Sequence, residues 1–103
     1  MTIIKSQKLR DFARGRDCTL RLDGCCYDPA TTVLAHLPCG HKGTGMKGPD
    51  TVAVLACSVC HDLIDGRRQG YTLTAHDACR ALAETHMQML DAGLLVVAGM
   101  RRG

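Results

Sequence analysis

Cys57-Ser58-Val59-Cys60-His61 is the stretch on which the reading of this chain turns. Two cysteines separated by two residues can aim both sulfurs at one ion, and zinc takes four soft, deprotonated ligands at about 2.3 Å. Two more sulfurs must then come from elsewhere. Cys18 and Cys26 supply them, with seven residues between, and Cys25 stands next door as a substitute. His61, fused to Cys60, points away from that ion and is left for other chemistry.

Outward from this motif, Thr51 to Ala56 is an apolar, β-branched run that predicts a strand, and Cys57 to about Asp65 turns helical, with Gly66 as its stop. Upstream, Thr31 to Leu37 predicts another strand, ended by Pro38. Between the strands lies a loop of Gly40, Gly43, Gly45, Gly48 and Pro49 carrying Lys42 and Lys47. The centre of the chain therefore reads strand, basic glycine loop, strand, helix. Residues 5–14 predict a basic helix with Ser6 as N-cap and Gly15 as stop, and Thr19 to Leu22 a short extended piece closed by the Asp23-Gly24 turn. Thr74 caps a longer helix from Ala75 to Ala92, whose core stripe is expected at Cys79, Leu82, Ala83, Met87 and Leu90. Leu94 to Ala98 is an apolar tail, expected as a strand or a docked extension. The fold class expected is α+β: one domain over residues 1–103, its core spanning about 14–67 and its C-terminal helix and tail about 74–100.

Composition argues for a staple. Three aromatic residues and no tryptophan among 103 residues leave few large anchors, so a metal would add what a thin core lacks. Seven cysteines, no apolar leader within Met1 to Arg10 and no run long enough to span a membrane point to a reduced, cytoplasmic setting where cysteines bind metal. The formal charge is only +3, but Lys5, Lys8, Arg10, Arg14, Arg16 and Arg21 crowd the first 21 residues against Asp11 and Asp17. Arg67, Arg68, Arg101 and Arg102 add two more basic spots. Such clusters suit a phosphate backbone, and an ordinary solvated helix face explains them equally well.

His61 and Asp65 stand four residues apart on one helical face, where an imidazole and a carboxylate can hold a hard or borderline divalent ion. If the strands form a hairpin, His36 is delivered across from that helix start, and a neutral histidine near a metal-bound phosphate can take a proton from water. Two other readings fail on context. The Gly43-Thr44-Gly45-Met46-Lys47-Gly48 stretch fits a dinucleotide fingerprint, but Pro49 and a strand follow it where a helix is needed. A thioredoxin-like redox pair at Cys57 and Cys60 requires a βαβ lead-in, and here a glycine loop joins the two strands.

The residues Arg14-Gly15-Arg16-Asp17-Cys18, Thr32-Val33-Leu34-Ala35-His36, Gly43-Thr44-Gly45 with Lys47 and Asp50, and Ala56 through Asp65 occur in an order that resembles the HNH, or ββα-metal, nucleases. The closer resemblance is to the YbcO-like nuclease group of lambdoid prophages. It covers residues 9–67, well over half the chain. The resemblance implies a zinc-stapled ββα-metal core with Zn2+ on Cys18, Cys26, Cys57 and Cys60. It further implies His36 as general base and His61 as a ligand of a catalytic ion such as Mg2+; the residues themselves add Asp65 to that ion and place Lys42, Lys47, Arg14 and Arg16 as candidates on the nucleic-acid backbone. The activity implied is phosphodiester hydrolysis, on DNA more readily than RNA. Two positions depart from that pattern: Ala35 stands where such enzymes carry a metal-binding Asp or His, and Asp50 stands in for an asparagine expected before the Cys-x-x-Cys. A zinc-stabilised module that binds nucleic acid or protein without cutting is the alternative reading.

Overall fold

The computed structural model describes residues 4–38, 48–70 and 72–101. Among these, α1 spans Gln7–Ala13, a single 3-10 turn Pro29–Thr31, β1 Val33–His36, β2 Ala53–Ala56, α2 Ser58–Ile64 and α3 Ala75–Asp91. The fold is α+β, and no helix among the described residues is long and apolar enough to cross a membrane. Lys42, Lys47 and most of the glycine loop lie outside the described residues.

β1 and β2 pair antiparallel, Val33 opposite Ala56 and His36 opposite Ala53. Because side chains alternate across a strand, the pairing sorts the core in two. Ala35, Leu37, Val54 and Ala56 face a cluster built from Cys18, Leu20, Leu22, Cys57, Cys60, Leu63 and Ala81. Leu34, Ala53 and Leu55 face the other way, onto Leu9 and Ala13 of α1 and Met89 of α3. With both faces covered, β2 has no polar residue at all. The strands are shorter than the apolar runs because their ends are spent on turns. Asp28 caps the 3-10 turn through Ala30, and the Val52 amide bonds back to Pro49.

The outer edge of β2 is sealed by polar groups. The Thr19 amide donates to the Leu55 carbonyl (2.7 Å), while the Leu55 amide donates to the Thr85 hydroxyl (3.2 Å) on α3. An exposed edge would leave these groups bare or open to another strand. This explains where the expected helix stripe goes wrong. On α3 the buried positions are Ala81, Thr85 and Met89, with Ala78 and Leu82 half-buried beside them, while Cys79, Ala83 and Met87 are exposed. A polar residue holds the centre of the inward face because the strand edge has an amide to satisfy. The tail is likewise not a strand: Leu94 and Leu95 dock against the Met89 cluster, and Val96 and Val97 are exposed.

Thr85→Val keeps the shape but strands the buried Leu55 amide, and should cost about 1–3 kcal/mol. Thr85→Ser should lose much less, and urea unfolding of the two variants measures the difference.

Candidate functional site

Four sulfurs come together at the junction of β2 and α2. Cys18, Cys25, Cys57 and Cys60 place their Sγ atoms all within 4.8 Å of one another, and Cys25 and Cys57 are 3.6 Å apart. Sulfurs at the corners of a tetrahedron with 2.3 Å bonds would sit about 3.8 Å apart, so the spacing fits one metal ion. Backbone amides aim at three of them: Arg21 at Cys18 (3.5 Å), Tyr27 at Cys25 (3.4 Å) and Cys60 at Cys57 (3.4 Å). Amides so directed favour charged sulfur. Arg21 and Tyr27, which supply two of these amides, adopt φ of 47° and 53°, an uncommon conformation for residues with a side chain. Without a metal, the Cys60 thiol and the Arg21 amide, working against burial, draw the Cys18 pKa down to about 4. Cys60, donating to Cys18 and buried, is pushed up. Burial raises Cys25 to about 11.

The fourth sulfur is Cys25, a correction to the expected Cys26. The Tyr27 amide donates to the Cys25 sulfur (3.4 Å), which is half-buried beside Cys57 (3.6 Å). Cys26 stays exposed near the Thr31 hydroxyl (3.6 Å), its pKa lowered to about 7 by the Asp28 amide and then by Thr31.

Beyond the sulfurs, the chain builds a cleft of about 400 Å³ lined by α1 (Gln7, Arg10), Arg14, β1 (Val33, Leu34, His36), α2 with its cap (His61, Asp65), and Arg67. His61 is one residue past the buried Cys60, about 100° further round α2, which turns it from the core to the cleft. Its Nε2 meets Asp65 Oδ2 at 3.1 Å. Nitrogen and oxygen donors converging from adjacent turns suit a borderline or hard divalent ion, with its remaining positions open to water or substrate.

His36 enters from the end of β1, and its Nε2 lies 2.7 Å from Oδ1 of Asp50. Asp50 is fully buried. It also accepts from the Ser6 amide (2.7 Å) and Arg10 Nε (3.2 Å). Burial works to raise the Asp50 pKa, but these three donors outweigh it and hold the carboxyl below its ordinary value. An ionised Asp50 accepts a proton-bearing Nε2, which leaves Nδ1 as the basic nitrogen of a neutral His36 ring. Sequence placed Asp50 only as a stand-in for an asparagine. Its partnership with His36 spans 14 positions and has no local signal.

Of the expected backbone-contacting arginines, Arg14 lines the cleft and Arg16 does not. Arg16 stacks 3.7 Å over the Phe12 ring and donates to Gln88 (3.1 Å), in an adjoining groove that Arg14 also borders. Ala35, the other departure, is fully buried among the residues around the sulfurs. Strand alternation sends position 35 into the core and His36 to the cleft, so an apolar residue there removes no ligand from the cleft.

A small α+β protein with a four-sulfur centre at the root of the helix that carries a histidine–carboxylate cleft is thus defined by fold and site together. The chain belongs to the YbcO family: the model of that family, described as "Putative nuclease YbcO", matches residues 7–92. Proteins of that description from Escherichia coli K12 and from Enterobacteria phage 82 are each 43% identical over 93 residues, covering 84% of this chain and 95% of theirs. A solved structure described as a "putative bacteriophage protein" of E. coli K-12 MG1655 is also similar in fold. It is 37% identical, covers 84% of this chain and all of that one, and superposes with a TM-score of 0.64.

If the four sulfurs hold a metal ion, Cys25→Ser should purify without it while Cys26→Ser keeps it, as elemental analysis of the two proteins would register. A second expectation concerns acid. Because the Asp50 pKa is depressed on folding, its contribution to stability is present above the unfolded value of about 3.9 and lost as pH falls through the folded one. Asp50→Asn should therefore flatten the decline in stability between about pH 5 and pH 2, measured by denaturant titration across that range.

Proposed function

We infer that this protein is a divalent-metal-dependent endonuclease of the ββα-metal (HNH) type, a single domain stapled by Zn2+ on Cys18, Cys25, Cys57 and Cys60. The observation that carries this is one arginine-lined cleft in which His36, oriented by buried Asp50, faces the His61–Asp65 pair. Two of the chain's relatives bear a nuclease name, and an enzyme of that class needs these groups: a base, a cation site and donors for phosphate.

The chemistry follows from the geometry. His36 Nδ1 takes the proton from the attacking water, while Asp50 holds the ring in the tautomer that leaves Nδ1 basic and stabilises the imidazolium that forms. His61 and Asp65 would hold a divalent ion such as Mg2+, which supplies Lewis-acid stabilisation of the phosphoryl charge and the leaving oxygen. Arg10 is held toward Asp50 by its ion pair, and Arg14 in the cleft and Arg16 in the adjoining groove position the nucleic-acid backbone; Lys42 and Lys47, outside the described residues, are expected to add phosphate contacts. With three aromatics in the chain, binding rests on phosphate contacts more than on base stacking, and is salt-sensitive. DNA is the expected substrate, in phage or prophage DNA metabolism.

One observation favours a binding module instead: among the described residues only two cleft side chains, His61 and Asp65, are paired as metal ligands, and they are already bonded to each other. A plasmid-nicking assay with added Mg2+ or Mn2+ separates the two readings. Metal-dependent nicking should fall about 10²- to 10⁴-fold in His36→Ala, with the structural metal retained and the protein still folded, though less stable for the loss of one Asp50 donor. Nicking that survives in His36→Ala overturns the assigned base, and retention of DNA without cleavage under any metal favours the module.

A further inference from the structure

Arg67 has no role in the mechanism above, yet its guanidinium sits in the cleft on the carboxylate assigned to the ion. Its Nη2 donates to Asp65 Oδ2 at 3.0 Å, the same oxygen that meets His61 Nε2 at 3.1 Å. A carboxylate oxygen has two lone-pair directions, and these two neighbours occupy both. A second acidic seat lies close by, with Arg67 Nη1 3.6 Å from Asp62 Oδ1. The backbone at Arg67 is fixed while its side chain is not. Gly66, at φ +79°, ends α2, and the amides of Arg67 and Arg68 both donate to the Asp62 carbonyl (2.9 and 3.2 Å). The Arg67 side chain is 65% exposed, and among the described residues the two carboxylates are what hold it.

We propose that Arg67 is the resident counter-ion of the cleft, which the divalent ion displaces from Asp65 and which then grips the scissile phosphate. This rests on the nuclease reading of the same site. A cation arriving at Asp65 Oδ2 takes the lone pairs that Arg67 and His61 now occupy, and His61 Nε2 binds it once the proton on that nitrogen has passed to Nδ1 through solvent. Like charge then drives the guanidinium off, with Asp62 near enough to keep it beside the cleft. A planar fork carrying five N–H donors in that position matches two oxygens of a phosphodiester, a geometry that lysine does not offer. The exchange keeps Asp65 neutralised while the cleft awaits metal. It also couples metal entry to the appearance of a phosphate ligand.

The proposal predicts that metal affinity and turnover move in opposite directions. In Mn2+ binding followed by electron paramagnetic resonance without nucleic acid, Arg67→Ala should bind about two- to fivefold tighter than the parent, the range expected for removing one exposed ion pair. Its metal-dependent nicking rate should fall about 10²-fold. Arg68→Ala removes the same charge from a residue that does not line the cleft, and controls for the general field. Mn2+ affinity in Arg67→Ala no tighter than in Arg68→Ala, or undiminished nicking, overturns the proposal and leaves the nuclease reading standing. Mn2+ binding that persists in Asp65→Ala, or no binding by the parent, overturns the metal site and the proposal together. Retention of the four-sulfur metal in each variant shows that it is folded.

Discussion

Four sulfurs drawn within 4.8 Å of one another set the terms for the rest of this small structure. Thiolates so close repel, so the arrangement is favourable only with a cation among them or with protons shared between them. That constraint ties the loop of residues 18–25 to the root of α2. Through Cys57 and Cys60 it fixes the start of the helix, and hence the direction in which His61 and Asp65 point. A chain with one phenylalanine and two tyrosines could not secure the same geometry by apolar burial alone. The cleft is therefore rigid at its α2 wall because of chemistry on the opposite side of the helix.

The opposite wall depends on a different device. Asp50 is buried and charged, which is tolerable only because the Ser6 amide, Arg10 and His36 surround it. These donors come from the start of α1 and the end of β1, so one carboxylate joins a helix, a strand and a loop. The pocket forms where the two devices meet. Its charges are largely spoken for: Arg10 by Asp50, Arg67 by Asp65. A site of this kind holds its groups ready without leaving bare charge in a protein that carries little net charge.

The local features were legible in sequence and the relations between them were not. Cys-x-x-Cys-His, the two apolar runs and the capped helices each leave a signature within a few residues, and the structure has strands at Val33–His36 and Ala53–Ala56 and a helix at Ser58–Ile64. Cys25 rather than Cys26 depends on the backbone turning at Tyr27, a conformation that residue type does not announce. The Asp50–His36 bond crosses the glycine loop, where nothing periodic survives. The inward face of α3 was misread for a more instructive reason. A hydrophobic pattern assumes that buried means apolar, whereas Thr85 is buried to serve a strand edge. Polar satisfaction overrode periodicity at that one position and rotated the whole stripe.

That strand edge also bears on how the chain is made. The segments that hold the sulfurs, residues 18–60, are synthesised first, and β1 and β2 can pair as soon as both have emerged. The Leu55 amide, however, waits for a hydroxyl 30 residues downstream. The four sulfurs can therefore come together before the strand edge is closed, because every residue that carries them precedes α3.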